Sequence, residues 1–184
     1  MLNRGTLSGL SAAFAEHLFL AYREWEGLAS NLDGGAFKVE IPQPGTDRTL
    51  WSDTQDAEIT IGYDHYHAHF GPFLGLSDQE SITQAMDEIR AIVQEDMVVM
   101  ISFRDGKWVQ SMLGRLDTSV VTRPGGITHV YSWLGTHNRT LDGTPQLITP
   151  HSAGGLAGCL ATPGRHRLRR TRLSGFVFRL PALR

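Results

Sequence analysis

Three histidines, His65, His67 and His69, occupy alternate positions of the segment 58–70. Side chains at i, i+2 and i+4 of an extended chain point to one face of a sheet, so the spacing predicts a row of imidazoles on one side of a strand. Neutral imidazoles bind zinc at about 2.0–2.1 Å. The same row is also compatible with proton transfer, with contact to a partner, or with histidines that are hydrogen-bonded or exposed and have no chemical role.

Strand geometry limits how many of these histidines can share one ion. At about 3.3 Å per residue, neighbours in the row have Cα atoms about 6.6 Å apart, whereas His65 and His69 are about 13 Å apart. We therefore expect His67 and His69 to be the ligands if a metal binds, with a further ligand from elsewhere in the chain. The candidates for that further ligand are Asp64, Glu58, His129 and His137.

The direction of the row depends on the register of the strand. The histidines have the parity of the apolar residues in 59–63, and a regular strand would direct them to the buried face. The apolar residues in 66–70 have the opposite parity, which favours a change of register near Asp64. After such a change the histidines face solvent, and we expect them to lie apart from His129 and His137.

A second group of polar and aromatic residues lies in Ser132–Arg139, where a predicted strand runs into a polar loop. Trp133, His137 and Arg139 are candidate binding residues, because aromatic and arginine side chains are strong contact anchors. The alternative interpretation is a core tryptophan beside an ordinary loop. Together the two groups predict a binding surface that contains His65, His67, His69, Trp133, His137 and Arg139.

The elements around these residues indicate an α+β fold. Apolar residues at three- and four-residue spacing predict a helix from Ser8 or Ser11 to Glu26, and a second helix after the capping-box sequence Ser77–Glu80. Alternating or β-branched runs predict strands at 37–41, 49–51, 57–64, 97–103, 108–113 and 127–133. The hairpin signal Asp105-Gly106 and the lack of repeated strand–helix–strand units predict one antiparallel sheet of about five or six strands with two helices packed against it.

Charge divides the chain into two parts. Of the 17 basic residues, seven arginines lie in 151–184, which leaves ten in 1–150 against all 19 acidic residues. We expect 1–150 to be a single α+β domain and 151–184 to be a poorly ordered basic tail. The acidic domain favours a basic protein partner. Nucleic acid would be bound only through the arginines of the tail, namely Arg165, Arg167, Arg169, Arg170 and Arg172.

The rest of the sequence gives little further indication of function. The single cysteine, Cys159, excludes an intramolecular disulfide and a multi-cysteine zinc site. No run of 18 apolar residues, signal-peptide pattern, P-loop or nucleophile-elbow serine motif occurs in the sequence. We therefore expect a cytoplasmic protein with no contact to a membrane.

Four of these features together carry a resemblance over about residues 36–138: the segment Ile59–Phe70, the capped helix after Ser77, the Gly106–Trp108 hairpin and Ser132–Thr136. In these features the chain resembles a group of small uncharacterised bacterial proteins similar to immunity proteins of polymorphic toxin systems. The resemblance implies a single-domain cytoplasmic protein that binds a partner rather than turning over a substrate. We therefore expect a non-enzymatic protein-binding module, and we expect no cofactor.

The alternative hypothesis is a metal-dependent hydrolytic enzyme. In this hypothesis His67 and His69 bind a divalent metal such as zinc, with help from His65 or His137. Asp64 or Glu58 would act as the base or orient a ligand.

Overall fold

The computed structural model describes residues 1–116, 119–120, 125–142 and 146–147. Residues Met1–His151 form one compact unit. The predicted tail 151–184, with the five arginines considered for nucleic acid, lies outside the described residues.

The described part of the chain contains two α-helices, as the sequence predicts: α1 spans Gly9–Ala21 and α2 spans Asp78–Val93. The predicted capping box is confirmed, because the backbone N–H of Glu80 donates to Ser77 Oγ at 3.3 Å and the N–H of Ser77 donates to Glu80 Oε2 at 2.9 Å. The first helix ends before the predicted Glu26, because the chain tightens into a 3-10 turn at Arg23–Leu28. This turn buries Trp25 and stacks its ring on Tyr22 at 4.0 Å.

Five strands form the first sheet, each antiparallel to the next and in chain order. They are β1 (Ala29–Asn31), β2 (Phe37–Pro42), β3 (Thr49–Asp53), β4 (Ile59–Tyr63) and β5 (Tyr66–Phe70). In β2 and β3 buried and more exposed residues alternate, so this sheet has an inner apolar face and an outer polar face.

A second antiparallel sheet has four strands in the order β10-β9-β6-β7, and β8 pairs separately with β11. These strands are β6 (Met97–Arg104), β7 (Lys107–Arg115), β8 (Ser119–Val120), β9 (Gly126–Tyr131), β10 (Arg139–Asp142) and β11 (Gln146–Leu147). The α+β class with antiparallel strands is confirmed, and the strands divide between two sheets instead of forming one.

The two sheets and the two helices share one main core. The inner face of the first sheet, both helices and one face of β6 contribute buried side chains to it, among them Phe14, Phe37, Ile61, Ile89, Val99 and Ile101. The other face of β6 belongs to a smaller cluster of Val98, Met100, Val130 and Leu141. Strand β6 pairs with β7 on one side and β9 on the other, and its two faces are covered by these two clusters. None of the helices described is long and apolar enough to cross a bilayer.

Candidate functional site

The histidine row begins in a tight hairpin. Tyr63 pairs with Tyr66, which leaves Asp64 and His65 as a two-residue turn between β4 and β5. Asp64 adopts a φ of 57°, a left-handed conformation that aspartate tolerates better than most residues. The structure therefore contains the change of register near Asp64 that the apolar pattern favours, and His67 and His69 on β5 face outwards and are exposed.

The outer surface of the first sheet is built from two cross-strand rows. One row joins Glu40, Trp51, Gly62 and His67, and the other joins Lys38, Asp53, Thr60 and His69. We call this surface the histidine face and define it by Lys38, Glu40, Trp51, Asp53, Glu58, His67, His69 and Phe73. It presents two imidazoles, two aromatic rings, three carboxylates and one ammonium group side by side.

Within the histidine face, the indole ring of Trp51 packs closely against the sheet. Its indole ring lies on Gly62, where a Cβ atom would overlap the ring. The Lys38 Nζ lies 5.6 Å from the centroid of the same ring and pairs with Glu40 Oε1 at 2.8 Å. The half-buried indole is therefore held between neighbours, and the histidines form the more accessible edge of the face.

His69 is held by a carboxylate and a hydroxyl group. Its Nδ1 lies 2.7 Å from Glu58 Oε1 and 3.2 Å from Thr60 Oγ1. Its ring also contacts the ring of His67, with centroids 5.2 Å apart, and the ring of Phe73, with centroids 6.3 Å apart. A carboxylate on Nδ1 fixes the orientation of the imidazole and leaves Nε2 for another contact.

Asp53 adds a second carboxylate to this group. Its partial burial raises its pKa, as does the charge of Glu58, while an N–H from Gln55 and the charges of Lys38 and His69 act in the opposite direction. Two neighbouring carboxylates favour a cation from a partner.

Within the described ranges, no group of three or more histidine, cysteine, aspartate or glutamate residues is arranged to hold a metal ion. The two distant histidines considered as ligands have other neighbours. His129 Nδ1 lies 3.1 Å from Thr140 Oγ1, and His137 Nε2 lies 3.9 Å from Glu95 Oε2.

His65 links the two sheets from its position in the turn. Its ring stacks on Trp108 at 6.4 Å and meets the ring of Phe103 edge-on at 5.9 Å. Its carbonyl oxygen accepts a hydrogen bond from Ser111 Oγ at 2.8 Å. This histidine is therefore separated from the other two and belongs to an aromatic group on the second sheet.

The second predicted group lies mainly inside the molecule. Trp133 is only 7% exposed and packs against Tyr63, with ring centroids 6.1 Å apart. Gln43 Nε2 donates to the carbonyl oxygens of Ser132 and Trp133 at 3.1 and 2.8 Å, and Tyr63 donates to Gln43 Oε1 at 2.5 Å. Burial raises the pKa of Tyr63 to about 12, so its hydroxyl group stays a donor at neutral pH.

Glu95 braces the loop Ser132–Asn138 from the end of α2. Its Oε1 accepts from the N–H of Leu134 at 2.7 Å, and the N–H of His137 donates to Ser132 Oγ at 2.9 Å. Burial acts to raise the pKa of Glu95, but hydrogen bonds from Ser132, the Leu134 N–H and Thr136, with the nearby His137, lower it overall. A charged carboxylate therefore holds the loop in place.

The loop thus places Trp133 and His137 against internal partners rather than on an open surface. Arg139 is half-buried at the start of β10, where burial lowers the pKa of its guanidinium group. Their predicted binding role stays a prediction. Sequence reasoning missed Gln43 and Glu95, since each is a polar residue in a turn segment far along the chain from the loop it holds.

Two of the clefts that described residues line lie outside the histidine face. One, of about 270 Å³, is lined by Phe103, Asp105, Gly106, Gly125, Ile127 and His129. The other, of about 560 Å³, lies between the starts of α1 and α2, and its walls are about equally polar and apolar, with Ser8, Ser11, Asp33, Thr54, Asp56 and Asp78 among the polar residues. Neither cleft contains His67 or His69.

A scan against protein-family models and searches of curated proteins and solved structures find no match to this chain. Its function is therefore inferred from the geometry of its own residues.

Proposed function

We propose that the chain is a non-enzymatic protein-binding module, immunity-like in the sense of the sequence resemblance, that binds a basic protein partner through the histidine face. One observation carries the proposal. Phe73 is 60% exposed and its ring contacts that of His69, which in turn is bound to Glu58. An exposed aromatic ring next to carboxylates combines an apolar anchor with a site for a cation.

The shape of the surface favours a protein over a small substrate. Strands β2 to β5 present their outer side chains over a broad sheet face, whereas small-molecule sites are concave and bury most of the ligand. Protein interfaces depend on a few aromatic and charged anchors surrounded by polar contacts. The histidine face has this composition, with Phe73 as the aromatic anchor and Glu40, Asp53 and Glu58 as polar neighbours.

Electrostatics favours a basic partner. Residues 1–150 contain all 19 acidic residues of the chain, and three of the four charged side chains of the histidine face are carboxylates. Complementary charge accelerates association and rejects partners of the wrong sign. A cytoplasmic location, as expected from the sequence, is compatible with such a partner.

The metal-dependent hydrolase remains the second candidate because of one contact. The bond between Glu58 and His69 Nδ1 is the arrangement that orients metal-binding histidines in many proteins. This candidate requires His67 and His69 to be joined by a further ligand that the described residues do not provide.

Affinity capture with a matched pair of variants tests the proposal. The face variant carries His67→Ala, Phe73→Ser and Glu58→Gln. The control carries His17→Ala, Leu20→Ser and Glu16→Gln on the exposed side of α1, where Leu20 is 81% exposed. We expect the wild type and the control to capture the same protein from cells of the source organism.

The captured protein is then purified and titrated against all three forms. We expect the face variant to bind at least about tenfold more weakly, since anchor residues contribute about 2 kcal/mol or more. Equal affinity of the face variant and the control, or no protein enriched by the wild type, would contradict the proposal.

A further inference from the structure

The smaller cleft lies at the open end of the second sheet, beside the turn between β6 and β7. We call it the hairpin cleft and define it by Phe103, Asp105, Gly106, Gly125, Ile127 and His129. Its volume is about 270 Å³, close to the lower limit for small-molecule sites and suited to one long side chain. Its walls are mostly apolar, and Asp105 contributes the one carboxylate of the lining.

An exposed apolar row continues from the cleft across three strands. Phe103 pairs with Ile127 on one side and with Trp108 on the other, so the three side chains share a face. Ile127 and Trp108 are each 46% exposed. Exposed apolar side chains that lie together beside a cleft are a feature of interaction sites.

Among the described residues near the turn, Arg104 and Lys107 point away from this face. Arg104 pairs with Lys107 one step beyond the pair of Phe103 and Trp108. Successive side chains of a strand alternate between faces, so Arg104 and Lys107 belong to the opposite face of the sheet. Asp105 is thus the acidic residue among the described residues that line the cleft.

The row of aromatic rings that includes Phe103 already contacts the guanidinium group of Arg48 at its other end. The rings continue from Phe103 to His129 at 5.7 Å and from His129 to Tyr131 at 5.9 Å. The guanidinium carbon of Arg48 lies 3.7 Å from the centroid of the Tyr131 ring, and Arg48 Nε lies 3.3 Å from Asp64 Oδ2. At one end of this row, the Tyr131 ring and the Asp64 carboxylate therefore already hold an arginine side chain.

We propose that the hairpin cleft is a second arginine site, which receives an arginine side chain of the basic protein partner. The guanidinium group would stack on the aromatic rings beside Phe103 and pair with Asp105, while its methylene groups would pack against Ile127. This inference rests on the proposed function, and it adds a second contact region. His65, whose ring contacts both Phe103 and Trp108, lies between this region and the histidine face.

Short peptides test the cleft independently of the whole partner. Capped Ala-Arg-Ala, Ala-Lys-Ala and Ala-Leu-Ala are titrated into the labelled full chain, and the amide signals of Gly106 and Gly125 and the Trp108 indole signal are followed by NMR. We expect the arginine peptide to shift these signals and to bind about fivefold or more tightly than the leucine peptide. The lysine peptide should be intermediate, because its ammonium group stacks less well.

A conservative turn variant separates charge from folding. Asp105→Asn converts the turn to Asn-Gly, which favours the same hairpin, so the fold is retained. The control is Asp96→Asn, at an exposed aspartate after α2. We expect Asp105→Asn to weaken the arginine peptide about fivefold and the control to leave its affinity unchanged.

Two outcomes would overturn the inference: equal binding of the leucine and arginine peptides, or an unchanged affinity in Asp105→Asn. Titration of the captured partner separates this inference from the proposed function. A partner that binds Asp105→Asn and the wild type equally, but loses affinity for the histidine-face variant, would contradict the cleft alone. Peptide binding in the absence of any captured partner would contradict the proposed function alone.

Discussion

The histidine face and the loop Ser132–Asn138 contain similar residues but have opposite environments. Each combines an imidazole with an indole ring, and each is contacted by a glutamate: Glu58 on the face and Glu95 beside the loop. On the face, His67 and His69 are exposed, and the side chains that contact them lie on the same hairpin or just beside it. In the loop, Trp133 is buried and the backbone is held by Gln43 and Glu95, which come from distant parts of the chain.

The difference shows that residue type alone does not distinguish an exposed polar surface from a structural brace. In this chain the two differ in whether polar partners from distant parts of the sequence hold the segment. The loop contains backbone N–H and C=O groups that would be costly to leave unpaired once Trp133 is buried, and Gln43 and Glu95 satisfy them. The histidine face keeps its groups accessible to solvent and thus to a partner. We therefore expect loop substitutions to affect stability and face substitutions to affect binding.

The largest effect should follow from removing the brace. Glu95→Ala leaves the Leu134 N–H and the surrounding hydroxyl groups without their buried acceptor, and we expect a loss of about 3 kcal/mol in the free energy of unfolding. Urea denaturation at pH 7 measures it. The matched control is Glu58→Ala on the histidine face, which should cost less than about 1 kcal/mol because its pair with His69 is partly exposed. Equal losses in the two variants would remove the contrast between loop and face.

The pH dependence of the stability lost in Glu95→Ala tests whether the charged carboxylate of Glu95 holds the loop. Because the pKa of Glu95 is lowered in the folded state, its stabilising contribution is present above the ordinary carboxyl pKa and disappears as the pH falls through the lowered value. The stability difference between wild type and Glu95→Ala should therefore shrink in acid.

A smaller loss should follow from disturbing the close packing of Trp51 on Gly62 in the histidine face. In Gly62→Ala the new methyl group overlaps the Trp51 ring, so the indole must move. We expect a cost of about 2 kcal/mol and a change in tryptophan fluorescence. Gly27→Ala, where a Cβ atom meets open space, is the control and should be nearly neutral. A neutral Gly62→Ala would show that the face is not ordered by Trp51.

The stability that the buried side of β5 contributes should depend on pH. Tyr66, the first residue of β5, donates to Glu88 Oε1 on α2 at 2.9 Å. Burial raises the pKa of Glu88 to about 7 from its ordinary 4.5. Because this carboxyl group binds its proton more tightly in the folded chain, its contribution to stability is complete below about pH 4.5 and is lost as the pH rises to about 7.

Glu88→Gln keeps an acceptor for Tyr66 and removes the charge. We expect it to raise the free energy of unfolding by about 1.5 kcal/mol at pH 8 and to change it little at pH 4.5. Denaturation curves at the two pH values, with Glu16→Gln as an exposed control, measure this. The same pH dependence in Glu88→Gln and in the wild type would contradict the assignment.

Much of the fold follows from local sequence patterns. The capping box at Ser77, the alternation in β2 and the Asp105-Gly106 turn each act within a few residues, and each element lies where it was predicted. The division into two sheets was not predictable in this way. It depends on which strands pair across α2, and strand pairing is a long-range property that local periodicity does not encode.

The candidate site was predictable in part for the same reason. The parity of Tyr66 and Phe70 placed His67 and His69 on the outer face, because alternation on a strand is local. The interior position of Trp133 was one of two interpretations, and the sequence could not decide between them. The deciding contacts are with Gln43 and Tyr63, about 70 to 90 residues earlier in the chain.

The smallest stability effect, and the sharpest test of what the histidine face is for, should come from His67→Ala/His69→Ala. Neither side chain is buried, so the double variant should unfold within about 0.5 kcal/mol of the wild type. Metal analysis of both proteins, purified without a histidine tag and incubated with zinc before dialysis, then separates the two proposed functions. The binding module predicts no stoichiometric zinc in either protein and a loss of partner affinity in the variant. One zinc per chain in the wild type, absent from the double variant, would instead favour the metal-dependent hydrolase, since two histidines oriented by Glu58 would then have found a further ligand.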